Sequence, residues 1–277
     1  MSYETLALSQ DGPVATLTLN RPDAFNAFTR EMWVEFTDAV QTLDATGETR
    51  ALIVASTGKH FTAGMDLSVF TTMPDMSGVE EGRYRAEMMR TVQRYQETFS
   101  CLERARFPVI AAIQGGCIGA GVDLISACDM RYCTSDAFFC IQEINIGMTA
   151  DVGTFPRLQK LMPEAVVREM AYTGCRLPAD RALSTGLVNA VADNADNALA
   201  LAKKAAAEIA GKSPLAIWGS KEMLNYGRDN TTENALKHIA TWQAGMFREG
   251  DIREAMTAHQ EKRTPEFDDL LPDKDVI

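Results

Sequence analysis

Val109-Ile110-Ala111-Ala112-Ile113-Gln114-Gly115-Gly116-Cys117-Ile118-Gly119-Ala120-Gly121-Val122-Asp123-Leu124-Ile125 decides how this chain is read. Its first five residues form an apolar run closed by a glycine signal, the pattern of a buried strand. The glycines that follow let backbone or ligand approach closely, and the segment after them opens a helix. Into that helix the sequence sets an acid, Asp123, between Val122 and Leu124. A carboxylate in an apolar wall is costly to ionise, so its pKa rises toward the range useful for moving protons.

Working outward, two further acids share this character. Glu143 follows Ala137-Phe138-Phe139-Cys140-Ile141, and Asp151 sits in Gly147-Met148-Thr149-Ala150-Asp151-Val152-Gly153. Upstream, a second glycine turn, Phe61-Thr62-Ala63-Gly64-Met65-Asp66-Leu67, follows the apolar strand at residues 51–55. Free N–H groups at two such turns can hold developing negative charge, as an oxyanion hole holds a thioester enolate. Several acids around one cavity suit proton removal at one carbon and delivery at another. Each acid also has a plain reading. Asp123 can be satisfied by helix-start N–H groups, Glu143 can be a helix N-terminal acid, and Asp151 can cap a helix. Asp66 is read as fixing its turn, His60 as a surface or nucleotide-contact residue, and Phe61, Met65 and Met148 as wall residues.

Other signatures fall away. The glycines at 115–121 do not follow GxGxxG order, and Gly211-Lys212-Ser213 lacks the earlier glycine of a P-loop because residue 206 is Ala. There is no GxSxG elbow, and His60, His238 and His259 form no HxxxH pair, so no metal site is expected.

Around these motifs the first half of the chain alternates strand and helix patterns. Residues 14–19 alternate apolar and polar before the stop at Asn20-Arg21-Pro22. Residues 30–43 carry Met32, Trp33, Phe36, Ala39, Val40 and Leu43 at helical spacing, and a long helix is expected from about 80 to 104. This alternation predicts an α/β fold with parallel strands. From residue 197 the pattern is helical: 198–209, 214–224, 232–247 and 252–262, broken at 211–213, 227–229 and Gly250. The expected organisation is therefore a core over 1–196 carrying the site and a helical region over 197–277.

The 277 residues are 46% hydrophobic, enough for one large core, and the net charge of −11 excludes a general nucleic-acid binder. The six cysteines show no CxxC pair and read as reduced core thiols. The first residues, Met1-Ser2-Tyr3-Glu4-Thr5, lack the features of a signal peptide, and no apolar run approaches ~20 residues. Asp273-Lys274-Asp275-Val276-Ile277 is not a Ser-Lys-Leu address. A soluble cytoplasmic protein is the expectation.

The sequence resembles the crotonase (enoyl-CoA hydratase/isomerase) superfamily across essentially the whole chain. The resemblance rests on Asn20-Arg21-Pro22 with Asn26-Ala27-Phe28, Ala63-Gly64-Met65-Asp66-Leu67, and Gly115-Gly116 through Asp123. Ser126-Ala127-Cys128-Asp129, Ser213-Pro214-Leu215 and Glu261-Lys262-Arg263 with Pro265 extend it. It implies a ββα spiral core, a C-terminal helical trimerisation region, and trimers or dimers of trimers. It also implies an acyl-CoA thioester substrate, with CoA belonging to that substrate and no separate cofactor. The implied oxyanion hole is the N–H groups of Met65 and Ala120, within the segments Ala63, Gly64, Met65, Asp66 and Ala120, Gly121. Ala120 stands where the family usually has Gly, and its methyl crowds the thioester. The third acid, Asp151, occupies a position that is glycine in the hydratases. With Asp123 and Glu143 it is similar to the pattern of Δ3,5-Δ2,4-dienoyl-CoA isomerases of fatty acid β-oxidation. The resemblance thus implies catalytic roles for Asp123, Glu143 and Asp151. An enoyl-CoA hydratase, or a non-catalytic acyl-CoA- or RNA-binding protein of the same fold, is the alternative.

Overall fold

The computed structural model describes residues 2–71 and 77–273, so Met1 and residues 274–277 of the C-terminal segment read above lie outside the described residues. In chain order, β1 (Leu6–Asp11) and β2 (Val14–Leu19) lead into α1 (Arg30–Thr46), β3 (Ala51–Ser56), α2 (Ser68–Thr71) and α3 (Glu81–Arg104). The segment that decides the fold gives β4 (Val109–Ile113), β5 (Gly116–Ile118) and α4 (Ala120–Ser126), followed by β6 (Met130–Thr134) and β7 (Phe138–Cys140). Then come α5 (Thr154–Leu161), α6 (Glu164–Thr173), β8 (Arg176–Pro178), α7 (Ala179–Ser184) and β9 (Ala190–Ala192). The helices α8 (Ala195–Ala210), α9 (Pro214–Asp229), α10 (Thr232–Met246) and α11 (Glu249–Glu261) complete the chain.

Six strands form one sheet in the order β1-β2-β3-β4-β6-β9, antiparallel at β1–β2 and parallel from β2 onward. A separate three-stranded sheet, β5-β7-β8, stands beside it. The apolar runs of β3 and β4 follow from burial on both faces. Leu52, Val54, Val109, Ala111 and Ile113 point into the larger core with Phe28, Phe36 and Phe99. Ala51, Ile53, Ile110 and Ala112 point the other way, against α8. That helix presents Ala198, Ala202, Ala206 and Ala210 at four-residue intervals, and their small side chains let it lie close on the sheet.

The later helices are tied to the core by a buried cation. Lys221 on α9 is 5% exposed. Its Nζ donates to the carbonyls of Leu102 (2.6 Å) and Phe107 (2.9 Å) and to Asp129 Oδ2 (2.8 Å). All three ammonium protons are thereby satisfied, which is what burying this charge requires. The tail returns to the start of the fold, where Leu270 N–H donates to the Gly47 carbonyl and Asp273 N–H to that of Ala45. Among the described residues no helix is long and apolar enough to cross a membrane.

Replacing Lys221 with Ala leaves two buried carbonyls without this donor and Asp129, still bonded to the Val109 N–H, without its cation. The expected loss is about 3 kcal/mol of unfolding free energy, measured by urea titration at neutral pH.

Candidate active site

The two glycine turns meet. Thr62 N–H donates to the Gly116 carbonyl (3.1 Å), and Ile118 N–H donates to the Thr62 carbonyl (3.1 Å). These two bonds lay the first turn along β5. Gly64 has φ +87°, and a methyl there would stand 2.8 Å from the Ile118 oxygen and 3.3 Å from the Ala120 nitrogen. A methyl at Gly121 would stand 2.5 Å from Thr62 Cγ2. Both positions need glycine because another segment occupies the space, and this packing brings the first turn to the head of α4.

The packing also decides which backbone donors stay available. A bridge joins Phe28 to Met65, made by Phe28 N–H to the Gly64 carbonyl (2.8 Å) and Asp66 N–H to the Phe28 carbonyl (3.0 Å). It uses the neighbours of Met65 and leaves the Met65 N–H facing away from the bridge. Ala120 is the first residue of α4, where an N–H has no partner within the helix. Ala63 N–H is taken by the Phe25 carbonyl (2.9 Å) and Gly64 N–H by Thr62 Oγ1 (3.0 Å), so those two residues hold the turn in place. Asn26 supports the turn from beneath. Its side-chain amide donates to the carbonyls of Thr57 (2.7 Å) and His60 (3.0 Å), and its oxygen accepts the Arg21 N–H (2.8 Å).

Asp66 fixes the turn, as expected. It accepts the Ser68 N–H (3.0 Å) and pairs with Arg21 (3.3 Å). Hydrogen bonds from Ser68, aided by Arg21, hold its carboxyl below the ordinary range, so it stays charged and is unsuited to delivering a proton. His60 is part of the scaffold: its Nδ1 accepts the Gly116 N–H (2.8 Å), and burial lowers its pKa.

The three acids gather around the head of α4. Asp123 is 1% exposed, and its Oδ1 accepts both the N–H (2.6 Å) and the hydroxyl (2.7 Å) of Thr154. Desolvation pushes its pKa up to about 6 against those two bonds, with Asp151 raising it further and Arg157 lowering it. The plain reading given to Asp151, a helix cap, falls to Asp123 instead, since Asp123 serves the first residue of α5 while Gly153 occupies the cap position. Glu143 begins a short 3-10 turn, residues Glu143–Ile146, just after β7. A methyl at Gly119 would lie 3.2 Å from Glu143 Oε1, which places this carboxyl under the second glycine turn. Its Oε2 is buried and, among the described residues, has no hydrogen-bond partner. Burial first, then the charges of Asp123 and Asp151, push the pKa of Glu143 up to about 7.

Asp151 is the most open of the three, and burial still raises its pKa. It lines a cavity of about 830 Å³ together with Trp33, Met65, Met88, Tyr95 and Met148. The expected wall residues Met65 and Met148 therefore border the same space as Asp151, whereas Phe61 is fully buried in the core. One opening between α1 and α3 thus reaches the first glycine turn and the third acid. Thr62, Gln96, Thr154 and Arg157 organise this region and were not singled out in the sequence.

Comparison with known proteins assigns the class. Residues 9–270 match the sequence model of the enoyl-CoA hydratase/isomerase family, and the chain belongs to that family. The fold is shared with the crystal structure of an enoyl-CoA hydratase from Mycobacterium smegmatis, with TM-score 0.84 and 29% identity over 95% of this chain and 98% of that one. Among curated relatives, the mitochondrial Δ(3,5)-Δ(2,4)-dienoyl-CoA isomerase of Mus musculus is 41% identical over 95% of this chain and 81% of its own length. The peroxisomal enzyme of that name in Arabidopsis thaliana is 38% identical over 96% and 98%. A crotonyl-CoA hydratase from Syntrophomonas wolfei is 32% identical over 96% and 99%.

A carboxyl whose pKa is raised on folding makes stability fall as pH climbs from the unfolded value to the folded one. For Glu143 that window runs from about 4.5 to about 7. At about 1.4 kcal/mol for each pH unit, keeping it ionised in the fold costs roughly 3 kcal/mol above that window. Glu143→Gln is expected to be more stable than the wild type at pH 8 by up to about that amount. Urea titrations at pH 4 and pH 8 check this, and the gain should vanish at pH 4.

Proposed function

We propose that this chain isomerises 3,5-dienoyl-CoA to 2,4-dienoyl-CoA. The carrying observation is Asp151, a third carboxyl raised by burial on the wall of the cavity that also reaches Met65. Adding water across one double bond needs two acids and gives a third no task, whereas moving two double bonds needs an acid far from the base. The relatives named dienoyl-CoA isomerase, at 38–41% identity over nearly the whole chain, support the same reading.

The thioester oxygen accepts hydrogen bonds from the N–H groups of Met65 and Ala120, which form the oxyanion hole. That lowers the cost of breaking the C2–H bond, and Glu143 takes the proton. The electron pair spreads from C2 through C4 to C6, and protonated Asp151 gives its proton to C6. Each turnover leaves Glu143 protonated and Asp151 ionised, and exchange with solvent restores both. Asp123, held by Thr154, raises the pKa of Glu143 through its charge and keeps that base titrating near neutrality. Asp66 stays ionised and holds the first turn.

The hydratase reading keeps Asp123 and Glu143 as the water-activating pair, and the crotonyl-CoA hydratase relative gives it substance. We place the protein in trimers or dimers of trimers. Leu224, Leu236, Phe247 and Met256 on α9–α11 and their junctions are exposed apolar side chains that subunit contact would cover. The first 196 residues are proposed as the spiral core and the remainder as the assembly region. The cytoplasm is kept as the proposed compartment. Six unpaired cysteines support reducing surroundings, though the mouse and Arabidopsis relatives bear mitochondrial and peroxisomal names.

The test is to follow the absorbance of the thioester-conjugated diene with 3,5-dienoyl-CoA. The wild type should raise it, and Asp151→Asn should lower the rate by about 10²–10⁴, the usual worth of a positioned acid. Rapid hydration of crotonyl-CoA with 3,5-dienoyl-CoA left unchanged would favour the hydratase. Full activity in a Glu143→Gln, Asp151→Asn double variant would remove both acids from the chemistry.

A further inference from the structure

Asp151 lies in the loop between the 3-10 turn at Glu143–Ile146 and α5, whose ends are held by Met148 N–H to the Glu143 carbonyl (2.9 Å) and by Thr154 to Asp123. Two side chains clamp that loop against α3. Gln96 Nε2 donates to the Asp151 carbonyl (2.7 Å). Arg157, 8% exposed, donates through Nη1 to the Val152 carbonyl (3.3 Å), through Nη2 to Ser100 Oγ (2.9 Å) and through Nε to Glu103 Oε2 (2.8 Å). Glu103 is held from its other side by Arg228 of α9 (2.8 Å). A methyl at Gly153, whose φ is +137°, would stand 1.8 Å from Arg157 Nη1, so the loop folds directly over the guanidinium. A planar fork with five donors, spent on a backbone carbonyl, a hydroxyl and a carboxylate, fixes position more tightly than a lone charge.

We propose that Arg157 and Gln96 are positioning residues that set where the Asp151 carboxyl stands along the acyl chain, and so govern delivery of the second proton. The proposal rests on the isomerase reading. Neither residue touches the reacting carbons. The effect of uncharged Gln96 should fall on the C6 step and spare the C2 step, because Glu143 is carried by a different segment, between β7 and the 3-10 turn. Arg157 also acts on Asp123 through its charge, so the variant that keeps that charge isolates its positioning role.

The two steps separate in D₂O. After Glu143 removes a C2 proton and exchanges it with D₂O, the trienolate either takes a deuteron back at C2, giving labelled 3,5-dienoyl-CoA, or receives one at C6 from Asp151, giving 2,4-dienoyl-CoA. The ratio of C2 labelling in recovered substrate to product formed reports how well Asp151 competes. Misplacing a reacting group by about 1 Å can cost 10²-fold. Arg157→Gln is therefore expected to raise this ratio at least about tenfold, with C2 labelling retained. Gln96→Met, at a half-buried site, should shift it in the same direction by a few-fold and keeps the test open should Arg157→Gln fail to fold. Arg157→Lys keeps the charge but loses the fork, so its ratio should stay raised. A Lys variant with the wild-type ratio would reduce Arg157 to a local charge and overturn the proposal. Product and C2 labelling falling together in the Gln96 variant would also overturn it, since a merely structural role lowers both. Wild-type protein that neither labels C2 nor forms product would instead sink the isomerase reading itself.

Discussion

The site depends on one close contact, the first glycine turn lying against β5 and the head of α4. Two backbone hydrogen bonds at Thr62 set the approach, and the missing side chains of Gly64 and Gly121 permit it. With any side chain at Gly121 the Thr62 methyl would be displaced, and with it the turn that carries Met65. The rest follows from that contact. It brings the Met65 and Ala120 backbones into one region, and it places Glu143 beneath Gly119. The parallel strands β3 and β4, buried on both faces, provide the rigid support from which both turns project.

Around this contact the chain keeps three carboxyls in surroundings that disfavour their charge. Burial raises all three, and mutual repulsion raises Glu143 further. Each is restrained differently. Asp123 is fastened to Thr154 at both the backbone and the hydroxyl, and Asp151 is fixed through its carbonyl and the Arg157 clamp. Glu143 Oε2 has no hydrogen-bond partner among the described residues. A desolvated acid lacking that partner is a poor structural anchor and a good proton carrier. The difference separates Asp123, which organises its surroundings, from the two acids proposed to react.

Much of this was legible in the sequence because the main elements have strong periods. The helices at 30–46 and 81–104 and the strands at 14–19, 51–56 and 109–113 stand where apolar spacing set them. The last four helices stand near their expected ranges, but α9 runs on through Gly227 to Asp229 and α11 starts at Glu249, ahead of Gly250, so those two glycines do not break them. The small sheet β5-β7-β8 left no such mark, since a three-residue strand has too few positions to show a period of two. Nor was the Asp123–Thr154 bond visible, because it joins residues 31 apart through the fold. All three acids read from the sequence as lying in apolar company, with helix-start N–H groups as the plain reading of Asp123 and a helix cap as that of Asp151. The structure bears out the first, since Asp123 accepts the Thr154 N–H at the start of α5, and not the second, since Gly153 holds the cap position and Asp151 faces the cavity. His60 reads as a surface residue from its neighbours alone, and only the folded turn reveals its bond to Gly116.

Proton removal at C2 requires Glu143 to be desolvated enough to exchange protons near neutrality. Carbon-13 labelling of glutamate side chains, with Glu143→Gln to assign the resonance, follows that carboxyl directly through a pH titration by NMR. A midpoint of about 7 is predicted. A midpoint near the ordinary glutamate value of 4.5 would contradict it and leave the site without its base.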